Sequence, residues 1–507
     1  MKKTIAILFT CLLFGKYIYA QPNLLGVWSV SVPLSYINWY DNGTYSIDTT
    51  DIWQSYHQHL VSALGYNENN DLIFQSNACK IANKQGYTIL NGDSLVDALF
   101  YDNVGSVGSS LSQSVIALPR TATTWWVFNY SFSDSAWAAY LSGNPTVFSS
   151  DRLYAAIVDV SDTPKVIQKK IPVYKGVMGD CRMTAVRHAN GRDWWLVNHQ
   201  WNNNRLNKWL VTPDSIYGPF IDSTGTLHKE PDIYGMAQFT LDGTKYGMGS
   251  ENGLVNILDF DRCSGEFSNL KTINVIPSPP YTIAPEISSI SGLCFSPSGR
   301  YVYLTNHAYL TQYDTWANPI DSSRILLAQY DSTDGNQTAP YFAMALSPLN
   351  EIIICERNGI ENSPFHIIYQ PDSAGFACNL QKKALVIPGS LDNNTLPNLV
   401  NLKLGVLVGS GCDTVTTTPK SPKGDLNSQI LVFPNPANEV VFIEQHPATV
   451  NNATLEVADA LGRKVYVNNN FDGATVIKVA NWQAGIYFYS LKTKTNEQYT
   501  GKMLVGH

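Results

Sequence analysis

Four stretches in the middle of the chain repeat one pattern. Phe239-Thr-Leu-Asp-Gly-Thr-Lys-Tyr246 matches Phe295-Ser-Pro-Ser-Gly-Arg-Tyr-Val302 in position and kind, and Leu346-Ser-Pro-Leu-Asn-Glu-Ile352 repeats the theme more loosely. Val186-Arg-His-Ala-Asn-Gly-Arg-Asp193 fits with one residue inserted before the turn. The leading apolar positions 186, 239, 295 and 346 are 53, 56 and 51 residues apart. Each unit reads as an apolar strand, a Gly- or Asn-containing turn, a second apolar strand such as Trp194-Trp-Leu-Val197 or Tyr301-Val-Tyr-Leu304, and then a third. Asn190-Gly191 and Asp242-Gly243 are the dipeptides that close two-residue hairpins in which both central residues take positive φ.

An antiparallel unit of this length cannot bury both of its faces alone, so copies must stack around an axis. A period near 50 residues is that of a β-propeller blade. Residues 21–412 divide into seven units of 56, so the expected fold is all-β, a propeller of about seven blades. Ser114-Val-Ile-Ala-Leu-Pro119 followed by Trp125-Trp-Val-Phe128 reads as the inner strands of an earlier blade. Asp51 to Leu64 is the one stretch before the repeats with helical spacing. Composition agrees. Charged residues are 15%, against roughly 25% in ordinary soluble domains, and aromatics are 12%. Sheets covered on both faces leave few places for charge.

The first 20 residues read as a secretory leader: Lys2 and Lys3, then the uncharged run Thr4 to Gly15, then Ala20 at the expected cut. That run is 12 residues, short of the about 20 a spanning helix needs. Loss of Lys2, Lys3 and Lys16 deepens the net charge from −7 to −10, which argues against nucleic acid as a partner. Seven cysteines then remain, an odd number, so at least one thiol stays unpaired or pairs between chains. None forms a C-x-x-C, and most sit singly in apolar runs, as buried thiols do.

Asp413 to Gln429, rich in Thr, Pro, Lys and Gly, reads as a linker. Residues 430–507 alternate cleanly, as in Val440-Val-Phe-Ile443 and Thr454-Leu-Glu-Val-Ala458, and predict a small β-sandwich of immunoglobulin-like layout.

Two resemblances follow. Leu72 to Asn83, Met183 to Trp195 and Leu254 to Glu266 resemble secreted propeller-type proteins of Bacteroidetes, distant relatives of WD-repeat and YVTN-type propellers. That likeness implies fold and location only. In the last module Phe433-Pro-Asn-Pro-Ala-Asn438, Ala460-Leu-Gly-Arg-Lys464, Ala484-Gly-Ile-Tyr-Phe488 and Gly501-Lys-Met-Leu-Val505 closely resemble the type IX secretion C-terminal sorting domain, type A. The resemblance makes Pro434, Asn435, Pro436, Gly462, Gly485, Tyr487 and Lys502 the sorting signal. Trp482-Gln483 stands where that family usually has Leu-Pro. The implied route crosses the inner membrane by the leader and the outer membrane through the type IX machinery, to a secreted or surface-displayed product.

For chemistry the sequence is sparing. His188, His199 and Trp201 fall in one aromatic-rich repeat, and His307 ends a second strand, so these four are the candidate binding residues. Trp194 and Trp195 point to opposite faces of one strand and read as packing between blades. His57 and His59 share a strand face but have no third metal ligand in view, and Asp259-Phe-Asp261 with Gly265-Glu266 fails the spacing of a calcium loop. No nucleophile elbow, zinc-protease helix, P-loop or dinucleotide fingerprint occurs, so no cofactor or metal is implied. Three functions remain: a surface propeller binding a glycan, other polymer or protein partner, an extracellular hydrolase or lyase whose residues gather at the axis from several repeats, or a structural surface protein with no small ligand.

Overall fold

The computed structural model describes residues 24–29, 35–49, 62–67, 69–105, 107–109, 111–143, 149–179, 181–228, 235–275, 290–306, 308–329, 341–356, 364–387, 396–413, 429–433, 437–446, 453–460, 462–493 and 498–506. The chain forms two compact units, Met1–Thr416 and Thr417–His507.

In the larger unit seven antiparallel sheets follow one another along the described residues, spanning 24–49, 63–83, 115–175, 184–222, 237–274, 292–329 and 344–385. The first two have three strands and the other five have four, and strands that are neighbours in sequence are neighbours in the sheet. This is a propeller. The first strand of each sheet forms its inner edge, as with Thr184–Arg187, Ala237–Phe239, Gly292–Phe295 and Met344–Leu346. The turns joining first to second and third to fourth strands therefore lie on one face of the ring, the turn face. First strands begin at the opposite face.

The repeats recognised in sequence are these inner hairpins. Gly191, Gly243, Gly299 and Asn350 take φ values of 72°, 72°, 71° and 65°. Each donates its backbone N–H three residues back, to His188, Thr240, Ser296 and Ser347, at 2.8 to 2.9 Å. Asn190 and Asp242 are not among the positive-φ residues, so the two-residue hairpin expected there gives way to a longer loop with one left-handed residue. The polar side chain holds that loop: Asn190 Oδ1 accepts the N–H groups of Arg192 and Asp193, and Asp242 Oδ1 accepts that of Thr244.

Packing between sheets supplies the core. Trp194 packs with Ile116, Leu118 and Trp126 of the preceding sheet, whereas Trp195 packs with Phe239 and Phe260 of the following one. Ring closure is visible where Trp28 and Trp39 of the first sheet share a cluster with Ile353 and Phe365 of the seventh.

The helix expected over 51–64 is not found where it can be checked: residues 51–61 lie outside the described residues, and Ala63–Tyr66 is a strand. Among the described residues two short α-helices occur elsewhere, α1 at Ala98–Val104 and α2 at Asp134–Leu141. They pack Phe100 against Phe132 and Trp137 beside Cys79 and Cys181. Ser133 caps α2 by accepting the N–H of Ala136.

The smaller unit pairs two sheets. Gln429–Phe433, Val440–His446 and Ala474–Lys478 form one, and Ala453–Asp459, Lys464–Phe471, Gly485–Lys492 and Gln498–Val505 form the other. Val441, Ile443 and Ile477 of the first meet Leu455, Val457 and Leu491 of the second.

Candidate functional site

A segment beyond the seventh sheet fills part of the propeller axis. In Leu396-Pro-Asn-Leu-Val-Asn-Leu-Lys-Leu404, leucines recur at 396, 399 and 402 and asparagines at 398 and 401. Each asparagine is thus followed directly by a leucine, Leu399 or Leu402, so polar and apolar side chains are interleaved along the segment. The leucines join the cores between sheets. The asparagines hydrogen-bond backbone groups at the ends of the inner strands. Asn398 donates its backbone N–H to Ser62 at 2.8 Å and its side-chain amide to the carbonyls of Val115 (3.0 Å) and Met183 (2.9 Å), where three first strands begin. Asn401 Nδ2 donates to Leu241 O at 2.8 Å, near the turn face. The segment thus runs alongside the inner strands from one face to the other.

Two arginines grip it at the turn face. Arg187 donates to Leu402 O and to Gly191 O, with its guanidinium 4.2 Å from the Trp194 ring centroid. Arg262 donates to Gly405 O at 2.5 Å and to Arg187 O at 2.8 Å. Burial first, and then the charge of Arg262, holds Arg187 below its ordinary arginine value, and burial does the same for Arg262. Beyond them Leu407 donates to Ala189 O, and Cys412 closes a disulfide with Cys263, Cα to Cα 5.7 Å, in the turn between the third and fourth strands of the fifth sheet. This axial strap, its leucine-asparagine spacing and the disulfide were not picked out by sequence reasoning.

The other five described cysteines, 79, 181, 294, 355 and 378, are buried. Burial pushes the Cys79 and Cys294 thiols up to about 12, so neither is a nucleophile near neutral pH.

Beside the strap lies a cavity of about 350 Å³. Its walls come from the first strands and from the strap: Trp28, Met236, Phe239, Phe295, Met344 and Leu396 supply much of the apolar surface. Four of the amides that line it, those of Gln113, Gln238, Asn398 and Asn401, are engaged. Gln113 both accepts from and donates to the backbone of Ala237, and Gln238 accepts from Phe295 N–H. Among the described lining residues the charged ones are Arg187 and Lys403, with no carboxylate, imidazole or thiol.

Of the described candidate residues, His188 and His199 lie at opposite faces of the ring. His188 sits at the turn face, where Nδ1 accepts from Asn190 N–H, Nε2 lies 3.0 Å from Cys263 O, and the ring leans on Trp195. It holds the turn beside the disulfide. His199 ends the following strand at the opposite face, its ring 4.7 Å from that of His228. His228 lies 3.2 Å from Asn256, and the fully buried Arg182 donates to Gly249 O nearby. Neither His228 nor Arg182 carried a sequence signal, since no local spacing links them to His199. Trp201 is half-buried in the loop after His199. His307, His57 and His59 lie outside the described residues. A second buried pair, His366 with Glu356 at 3.2 Å, also escaped the sequence reading. Asp259 and Phe260 end the third strand of the fifth sheet, where Asp259 pairs with Lys245, and a turn follows in which Asp261 accepts from Cys263 and Ser264 N–H. No group of three or more metal-ligating side chains occurs among the described residues.

On the turn face of the sixth sheet an aromatic ring is held open to solvent. Trp316 is 64% exposed and carries the Arg300 guanidinium 4.8 Å from its ring centroid. Arg300 is fixed by two hydrogen bonds to Asp314 Oδ2, and Asp314 Oδ1 accepts the Trp316 N–H.

In the smaller unit Tyr487 packs on Trp482 and donates its hydroxyl to Gln483 O at 2.8 Å. Gly462 takes φ 77° in the turn after Asp459. Gly485 opens the strand that pairs with Gln498–Val505, and exposed Lys502 lies opposite Phe488. Pro434, Asn435 and Pro436 lie outside the described residues.

Residues 431–506 match the secretion system C-terminal sorting domain. The final module is a type IX sorting domain. It directs this protein to the type IX machinery and to a secreted or cell-surface location. No helix among the described residues is long and apolar enough to cross a membrane. The chain is 35% identical over 83 residues to an endo-acting ulvan lyase of Formosa agariphila, a match covering 16% of this chain. The chain spans only 15% of the length of that curated relative. Among solved structures, the periplasmic gluconolactonase of Pseudomonas aeruginosa overlaps 74% of this chain and 97% of its own at 12% identity, with a TM-score of 0.40. The Dos1 propeller overlaps 65% of this chain and 71% of its own at 11% identity, with a TM-score of 0.35. Overlaps this loose carry no functional argument.

Proposed function

We propose that the exported propeller is a binding protein for an extracellular glycan, and that it does not act as a hydrolase or lyase at its axis. The Trp316 platform carries this reading. A ring backed by a guanidinium that Asp314 holds in place, on a residue whose backbone N–H the same carboxylate accepts, loses little freedom when its open side meets the C–H face of a sugar. Export to the cell exterior places such a platform where glycans are met. The axial alternative needs an acid and a base within reach of one bond, and the described lining of the cavity holds neither.

The test is a polysaccharide-binding screen with the mature chain and a Trp316→Ala variant. Saturable binding by the wild type that falls about tenfold in W316A, a loss of about 1.4 kcal/mol, supports the reading. Depolymerisation of any retained polysaccharide by the wild type, or equal binding by both proteins, overturns it.

A further inference from the structure

We propose that the axial cavity is a second binding site, for a small anionic amphiphile: its acidic head meets Arg187 and Lys403 at the turn face, and its apolar body lies along Phe239 and Phe295 toward Met236 and Met344. The volume of about 350 Å³ falls in the about 300–1,000 Å³ range of small-molecule sites. The amides of Gln113, Gln238, Asn398 and Asn401 are committed to backbone groups around the cavity, so the wall formed by Met236, Phe239, Phe295 and Met344 asks for an apolar body.

The end differs. Both charged lining residues are cations, and they lie where the inner strands finish: Arg187 is the last residue of its strand and Lys403 follows the strap residue that Arg187 holds. Arg187 faces carbonyl oxygens and a tryptophan ring but no carboxylate. A half-buried guanidinium compensated only by dipoles gains from an incoming anion. The low arginine value caused by burial and by Arg262 points the same way. Arg192, the next cation on this turn, is already neutralised by Asp193 and does not compete.

Because the strap forms one wall, the site exists only in the strapped propeller. The disulfide at Cys412 retains that wall even when the linker behind it is cut.

The experiment uses the oxidised mature chain and two fluorescent probes, the anionic 1-anilinonaphthalene-8-sulfonate and the uncharged Nile red. The variants are Lys403→Gln, an exposed strap residue, and Ala345→Leu, which narrows the cavity from the seventh sheet. The wild type is expected to bind both probes saturably at one site. K403Q should weaken the anionic probe about threefold and leave Nile red unchanged, while A345L should weaken both. Absence of saturable binding overturns the site, and so does unchanged binding of both probes in A345L with a native circular dichroism spectrum. Equal anionic affinity in K403Q and wild type overturns the acidic head. K403Q alters no hydrogen bond of the fold, so it decides that point even where A345L fails to fold.

Discussion

A strand of the propeller and a strand of the sorting module bury their side chains differently. Trp194–His199 is buried at all six positions. In Ala453–Asp459 and Gly485–Lys492, by contrast, inward residues such as Leu455, Val457, Tyr487 and Tyr489 alternate with more exposed neighbours such as Ile486 and Phe488. A blade is covered by a neighbour on each face, whereas each sheet of the sandwich has one covered face and one open face. The comparison shows why one chain reads in two ways. Period-two alternation survives where one face meets water and vanishes where neither does.

The largest effect is expected from truncation. Removing residues 430–507 should leave the propeller's thermal transition in place while trapping the protein in the periplasm. Removing residues 396–507 takes away the strap as well, and cooperative unfolding should be lost. Calorimetry and cell fractionation read the two outcomes, and surface display of the shorter deletion would sink the sorting assignment.

Next come neighbouring side chains. Trp194→Ala and Trp195→Ala should each destabilise the propeller by about 3–5 kcal/mol, because both faces of that strand are core. In the sorting module Tyr489→Ala should be costly and Phe488→Thr should stay within about 0.5 kcal/mol. Urea unfolding of the four variants would contradict the comparison if Trp194 and Trp195 differed as strongly as Phe488 and Tyr489.

The disulfide closes a loop with a sequence separation of 149. Replacing Cys263 and Cys412 with serine should cost the propeller about 2–5 kcal/mol and leave the sorting module untouched. Equal unfolding midpoints with and without reductant would contradict this.

A smaller effect should appear in acid. The Ser161 hydroxyl and N–H hold the Asp159 carboxyl below the usual carboxylate range, and a hydrogen bond from Lys169 does the same for Asp93. Both groups have folded values below their unfolded ones. Their stabilisation is therefore complete above about pH 4 and disappears as pH falls through the folded values. The propeller's melting temperature should decline below about pH 4, and an Asp159→Asn variant should decline less steeply.

Legibility followed locality. The hairpins at Gly191, Gly243, Gly299 and Asn350 were readable because turn chemistry acts within five residues. Even there the second positive φ expected at Asn190 and Asp242 was absent, because their side chains hold a longer loop. Helices α1 and α2 were missed because each spans only about two turns, too little for a 3.6-residue period to show. Of the candidate binding residues, His188 proved to be a turn support, and His199 met a histidine 29 positions away that no spacing announces.

By itself the sequence determined the repeat, the all-β class and the sorting module, because strand periodicity, turn residues and short ordered motifs act between near neighbours. Tertiary structure alone decided the axial strap, the Cys263–Cys412 bond, the cavity beside them and the cationic end of that cavity. Each of these depends on residues far apart in sequence, from the pair Gln238 with Phe295, 57 positions apart, to the pair Ser62 with Asn398, 336 positions apart. Such pairs meet only once a ring of sheets has closed, and closure depends on packing at every interface between sheets.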